Sequence, residues 1–193
     1  MILLVSFCLL VASSTLACRI VLPWQETRRD LTCISDFVHD LWPVHRDTSV
    51  PIFVIHHLAA FCFLVRALYV DTIDASVTMT ALGFLYLTRS LCMLLCPFHF
   101  PYDCIPLRDT FIQFISPMSF KNDLMFSGHI STMVTLGLND DMYNTYYFYV
   151  AGMVAILMLS SRVHYTIDLL VAPYMAYGNQ ALACMFVQFI RQQ

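Results

Sequence analysis

Residues 50–70 read VPIFVIHHLAAFCFLVRALYV: twenty-one positions with one formal charge, Arg66, and two adjacent histidines, His56 and His57. An α-helix needs about 20 apolar residues to cross a bilayer core of roughly 30 Å. Similar runs occupy residues 2–22, 73–96, 146–161 and 167–190, with a shorter one at 124–138. Across 193 residues the chain is 59% hydrophobic and 12% charged, with a mean hydropathy of +0.70. Soluble domains carry roughly a quarter charged residues. The pattern predicts an all-α polytopic membrane protein, with six transmembrane helices at about these positions forming a single membrane domain over residues 1–193.

The first run opens without a basic segment, and the small residues leading to Ala17 also suit a cleaved signal peptide. Apolar character resumes after Arg19 with Ile20 and Val21, which favours a retained helix; the abrupt start leaves room for an upstream segment. Residues 23–49 are the most polar stretch, and 97–120 and 139–145 are the clearest linkers. The run at 124–138 is short and begins with polar Asn122-Asp123, so a short or partly unwound helix facing protein is expected there. Asp123 reads equally as its cap and as a site residue. Cys8, Cys18, Cys62, Cys92 and Cys184 lie in apolar stretches, where cysteine is a small hydrophobe. Cys33, Cys96 and Cys104 share one expected membrane face, which leaves a single bridge among them open.

A net charge of −3 with one lysine, Lys121, argues against a nucleic-acid partner. His56 and His57 look like a metal pair, but neighbours on a helix point about 100° apart and do not chelate one ion together. HExxH, Cys-x-x-Cys and Walker-type glycine patterns are absent from the sequence, so neither a metal, a cofactor nor a nucleotide-driven reaction is expected.

Two short polar motifs stand out instead: Ser127-Gly128-His129 and His164-Tyr165-Thr166-Ile167-Asp168. On a helix, His164 and Asp168 share a face. A carboxylate there fixes the imidazole tautomer and leaves the second ring nitrogen available for attack or proton transfer. Ser127 and the Gly128 backbone offer hydrogen-bond donors to an anion, and His129 suits a general acid or base. A buried structural His–Asp pair is the plainer alternative. With six spans, both motifs fall at one membrane face, separated by a two-helix excursion of 35 residues. Arg89, well inside the 73–96 run, suits a bidentate phosphodiester clamp. Arg162 reads as a second phosphate contact, and Arg66 as a snorkelling residue.

Phe126-Ser127-Gly128-His129 and His164-Tyr165-Thr166-Ile167-Asp168, with Ala172, resemble the third and fourth motifs of sphingomyelin synthases, a branch of the lipid phosphate phosphatase superfamily. Leu85-Tyr86-Leu87-Thr88-Arg89 followed by Met93 is similar to that family's arginine motif on its third span. The resemblance covers about Leu82 to Tyr174. It implies a six-helix phosphatase-like core, with His164 as nucleophile, Asp168 as its orienter and His129 as acid/base. The implied reaction moves a phosphocholine or phosphoethanolamine head group from a glycerophospholipid donor to a ceramide acceptor. The implied site faces the lumen or cell exterior, in a Golgi, endoplasmic-reticulum or plasma membrane. The sequence departs from the family at Lys121-Asn122, where Cys-Gly is usual, and at Ile130, where Thr is usual; the proline-rich first motif is not convincingly present in 23–49.

Arg28, Arg29, Arg46, Arg108, Lys121 and Arg162 all fall on the expected site side, and the positive-inside rule would place that side in the cytosol. The resemblance places it opposite, and is preferred here. The alternatives are a lipid phosphatase with water as acceptor, against which the Arg162-x-His164 spacing argues, and a non-catalytic lipid-binding or scaffold relative. A second copy of the chain as partner stays open.

Overall fold

A computed structural model of the chain describes residues 2–21, 35–41, 47–69, 73–95, 105 and 126–193. Among these, 86% are helical and there is no strand. Helix α1 (Ile2–Leu16) runs into a π-helical turn, Ala17–Val21. Helices α2 (Phe37–Leu41), α3 (Ser49–Tyr69) and α4 (Ala75–Leu95) follow. Helices α5 (Gly128–Leu138), α6 (Asn144–Ser161) and α7 (Thr166–Arg191) complete the fold. Lys121, Asn122, Asp123, Cys33, Cys96 and Cys104 lie outside the described residues.

Three helical segments are long and apolar enough to cross a membrane: Ile2–Val21, Ser49–Tyr69 and Ala75–Leu95. Helix α7 has 26 residues but carries Asn179 and Gln180 near its middle, which dilutes its apolar character. At 11 residues, α5 spans roughly 16 Å, about half a bilayer core. It starts at Gly128 rather than at residue 124, and its N-cap is Ser127, past the Asn122-Asp123 pair expected to begin it.

The helices alternate in direction. Ser6 of α1 accepts a 2.8 Å hydrogen bond from Thr80 of α4, and Ala17 and Val21 pack on Met93, so α1 and α4 run parallel. They approach closely because position 83 is glycine: a Cβ there would lie 2.9 Å from Leu9 Cγ and 3.2 Å from the Leu10 amide nitrogen. Thr88 bonds to Asn179 (2.9 Å) and Phe84 meets Phe186 edge to face, which makes α4 and α7 antiparallel. Asn139 and Gln180 exchange two 2.9 Å side-chain bonds, and at the other end of α5 the Ser127 N–H donates to the Asp168 carbonyl, so α5 and α7 run parallel. Thr48 donates to the Leu157 carbonyl at 2.8 Å while Phe63 meets Tyr147, so α3 and α6 are antiparallel.

Polar side chains sit inside this bundle: Ser6, Thr80, Ser90, Ser131, Thr135 and Asn179 are all buried. The outer faces of α1, α3, α4, α6 and α7 expose large apolar residues, among them Phe7, Phe61, Leu95, Ile156, Tyr174 and Phe189. A surface of that kind suits lipid, where helices associate through small residues and internal hydrogen bonds.

Arg66, expected to snorkel, has a protein partner. It makes a bidentate ion pair with Asp140, at 2.8 and 2.9 Å, and its guanidinium lies 4.2 Å from the centre of the Tyr143 ring. Asp140 is 2% exposed. A buried carboxylate in the α5–α6 turn needs a cation more than the arginine needs water.

Candidate active site

The chain alternation brings the start of α5, the end of α6 and the start of α7 to one end of the bundle, with the start of α3 and the end of α4. At that end His164 Nδ1 lies 3.3 Å from Asp168 Oδ2, and both residues are buried. Asp168 Oδ2 also accepts the Tyr165 backbone N–H at 3.1 Å, and the Asp168 N–H returns a 3.0 Å bond to the Tyr165 carbonyl. The carboxylate is thus locked by the first turn of its own helix. A carboxylate only accepts, so against it Nδ1 is the donor and Nε2 is the ring nitrogen without that proton.

The two motifs meet directly. The Ser127 N–H donates to the Asp168 carbonyl at 3.2 Å, tying the start of α5 to the start of α7. Ser127 Oγ accepts from the Ile130 N–H (3.4 Å) as N-cap and donates to Met158 Sδ (3.2 Å). Fully buried, this hydroxyl serves the fold at this junction.

Gly128 has a steric reason. A Cβ at that position would run into Arg89 Nη1 and lie 2.9 Å from Arg89 Cζ, so the guanidinium occupies the space a side chain would fill. Arg89 is thereby held at the positive end of α5, next to His129. Arg162 caps α6 in the left-handed conformation (φ 53°, ψ 29°), the one non-glycine residue with positive φ among those described. Such a residue is kept where surrounding contacts over-determine it. Here its Nη2 donates to the His39 carbonyl at 2.9 Å.

No protein-family model and no curated protein matches the chain. The site therefore rests on its own geometry.

Three residues join it that the sequence reading did not select. His56 of α3 meets His129 edge to face, ring centroids 4.6 Å apart. Its signal was present: an ionisable residue inside an apolar run, about two turns from the end that also holds His129. Asp36 accepts both the Thr166 amide and, at 2.9 Å, the Thr166 hydroxyl. The ring of His39 stacks on Tyr165, centroids 6.4 Å apart with planes at 25°. Nothing in the sequence links residues 36 and 39 to 165 and 166. Among the described residues, no three His, Cys, Asp or Glu side chains are grouped as metal ligands.

Burial pushes the Asp36 carboxyl up, but the Thr166 amide and hydroxyl, His39 and the Val38 amide outweigh it, holding Asp36 below the usual carboxylate range. Burial pulls His39 below the usual imidazole range; Asp36 opposes this, Arg162 adds to it, and the His164 carbonyl and Asp40 oppose it further.

Proposed function

We propose that the chain is an integral membrane lipid phosphotransferase of the sphingomyelin synthase type, a six-span enzyme with a phosphatase-like core. The observation that supports it most is the Ser127–Asp168 backbone bond, which sets Ser-Gly-His against an oriented His164–Asp168 pair at 3.3 Å. A structural His–Asp pair alone has no need of a second histidine and an arginine at the same junction.

In this reading His164 Nε2 attacks the phosphorus of a phosphatidylcholine or phosphatidylethanolamine donor. The bond from phosphorus to the diacylglycerol oxygen breaks, and His129 gives that oxygen its proton. The neutral His129 then takes the proton from the primary hydroxyl of ceramide, whose oxygen attacks phosphorus and releases His164. Asp168 keeps the tautomer and stabilises the cationic ring. Arg89 and the positive end of α5 hold the phosphoryl oxygens, with Arg162 nearby. Placing the site at the lumenal or exoplasmic face, in a Golgi, endoplasmic-reticulum or plasma membrane, agrees with lipid head-group transfer.

The test is to incubate the purified protein in liposomes of both donors with fluorescent ceramide, beside His164→Ala. A labelled phosphosphingolipid made by the unmutated protein alone is the expected result, and its head group names the donor. Phosphate release from phosphatidate without head-group transfer would replace this reading by the water-acceptor reaction. Neither product from folded protein would sink catalysis altogether.

A further inference from the structure

We propose that Asp36 is a positioning residue for the His164–Asp168 pair, acting as an N-cap that α2 supplies to α7 from 130 positions away in the chain. The inference rests on the reading of His164 as nucleophile.

A helix begins with backbone N–H groups that have no partner inside it. In α7 the Tyr165 N–H is met by Asp168 itself, and the Thr166 N–H by Asp36 Oδ2. The Thr166 hydroxyl closes on Asp36 Oδ1 at 2.9 Å, so one carboxylate fixes both polar groups of the first helical residue. The same Oδ1 accepts the Val38 N–H at 3.0 Å, which starts α2. An ionised carboxylate is favoured at a helix N-terminus by the helix dipole, and Asp36 is held ionised by these donors.

Three residues later α2 adds two further contacts. The His39 carbonyl takes Arg162 Nη2 at 2.9 Å, and its ring stacks on Tyr165. Residues 162, 165 and 166 are therefore all gripped by 36–39, with His164 between the grips. The left-handed backbone of Arg162 is set by the turn that ends α6, in which its N–H bonds to the Leu159 carbonyl and the Val163 N–H to the Met158 carbonyl, and the His39 contact then fixes its side chain. The grip by 36–39 explains how two residues that flank a helix start, where fraying is usual, hold a fixed Nδ1–Oδ2 distance. Catalysis is sensitive to such placement: an error of about 1 Å can cost 10²-fold in rate.

The experiment uses the full chain in lipid nanodiscs with ceramide and both donors, comparing Asp36→Ala, Asp36→Glu and Thr166→Val. Asp36→Ala should lower kcat by about tenfold to a hundredfold with KM for ceramide within about twofold, and Asp36→Glu should recover part of it. Thr166→Val, which loses only the hydroxyl contact, should show a smaller loss, and none when added to Asp36→Ala. Amide hydrogen exchange at the first turn of α7 should rise in Asp36→Ala while that of α4 stays unchanged. Asp36 also borders a cleft of about 340 Å³ with Ser35, Phe37 and Thr166. A raised KM at unchanged kcat would therefore overturn positioning in favour of substrate contact. An unchanged kcat, or a lost kcat without faster exchange, would overturn it too. If Asp36→Ala does not fold, Thr166→Val decides by the same two readouts. If the unmutated protein transfers no head group, the phosphotransferase reading fails, while the exchange comparison still decides the capping contact.

Discussion

His56 and His129 meet edge to face, their ring centroids 4.6 Å apart and their planes at 69°. The neighbouring His57 is used differently. Its Nδ1 bonds to the Phe53 carbonyl at 2.9 Å and its ring packs on Phe53 at 4.2 Å. Adjacent positions on one helix thus divide their work, one toward the site and the other back onto α3.

His56→Ala should slow head-group transfer by about tenfold, a fraction of the 10² to 10⁴ that general acid–base catalysis contributes. His56→Phe, which keeps an aromatic edge against His129, should restore most of the rate, and His57→Phe should leave it within about twofold. Initial rates in nanodiscs check this. Equal losses from His56→Phe and His56→Ala would mean that ring packing is not what His56 supplies.

Gly128→Ala should cost about 10²-fold in transfer rate, comparable to losing one donor to a developing oxyanion. The added methyl takes the position of the Arg89 guanidinium, 2.9 Å from its Cζ. Gly178→Ala is the control, because a Cβ there meets nothing within 4 Å. It should leave the rate unchanged and raise the melting temperature slightly, since alanine is the better helix former. Full activity in Gly128→Ala would remove Arg89 from the site.

The Arg66–Asp140 pair should respond asymmetrically. Arg66→Met leaves the Asp140 charge unpaired with its side chain 1% exposed, whereas Asp140→Asn leaves an arginine whose side chain is 23% exposed. The melting temperature in detergent should fall further in Arg66→Met. Equal falls would show that Asp140 finds another partner or takes up a proton.

Acid should loosen the grip of α2 on α7. His39 has a lowered pKa in the fold, mainly through burial, with Asp36, Arg162, the His164 carbonyl and Asp40 as its other influences. The unfolded chain binds that proton first, so stability is full above about pH 6.5 and falls as pH drops toward the folded value. Asp36, also lowered, contributes stability that is full above the usual carboxylate range and is lost as pH falls from there through its folded value. Protection of the Thr166 amide and those after it, taken against the intrinsic exchange rate at each pH, should therefore fall between pH 7.5 and 5, and His39→Gln should remove that fall. Protection that is flat across this window in the unmutated protein would contradict the assignment.

Legibility in the sequence followed the range of the interactions. The long helices were readable because each is a run of apolar residues, a local property. His164 and Asp168 were readable as a pair because they are four positions apart, but not for the reason expected: His164 precedes α7, and the turn at its N-cap, not a helix face, brings it to Asp168. The start of α5 was misjudged because Ser127 caps it through contacts that residues 122–124 gave no hint of. The partner of Arg66 was not readable because it lies 74 residues away, in a turn on another helix pair.

The sequence by itself determined the all-helical character, the short α5 and the nearness of His164 to Asp168, while of the six expected spans three segments are long and apolar enough to cross a membrane. Each depends on composition or on separation along the chain. Only the tertiary structure decided that Ser127 touches Asp168, that Gly128 makes room for Arg89, that His56 reaches His129 and that Asp36 caps α7. Those contacts depend on the directions and offsets at which helices pack. Small residues and scattered internal hydrogen bonds set these, and a one-dimensional pattern of apolar runs does not carry them.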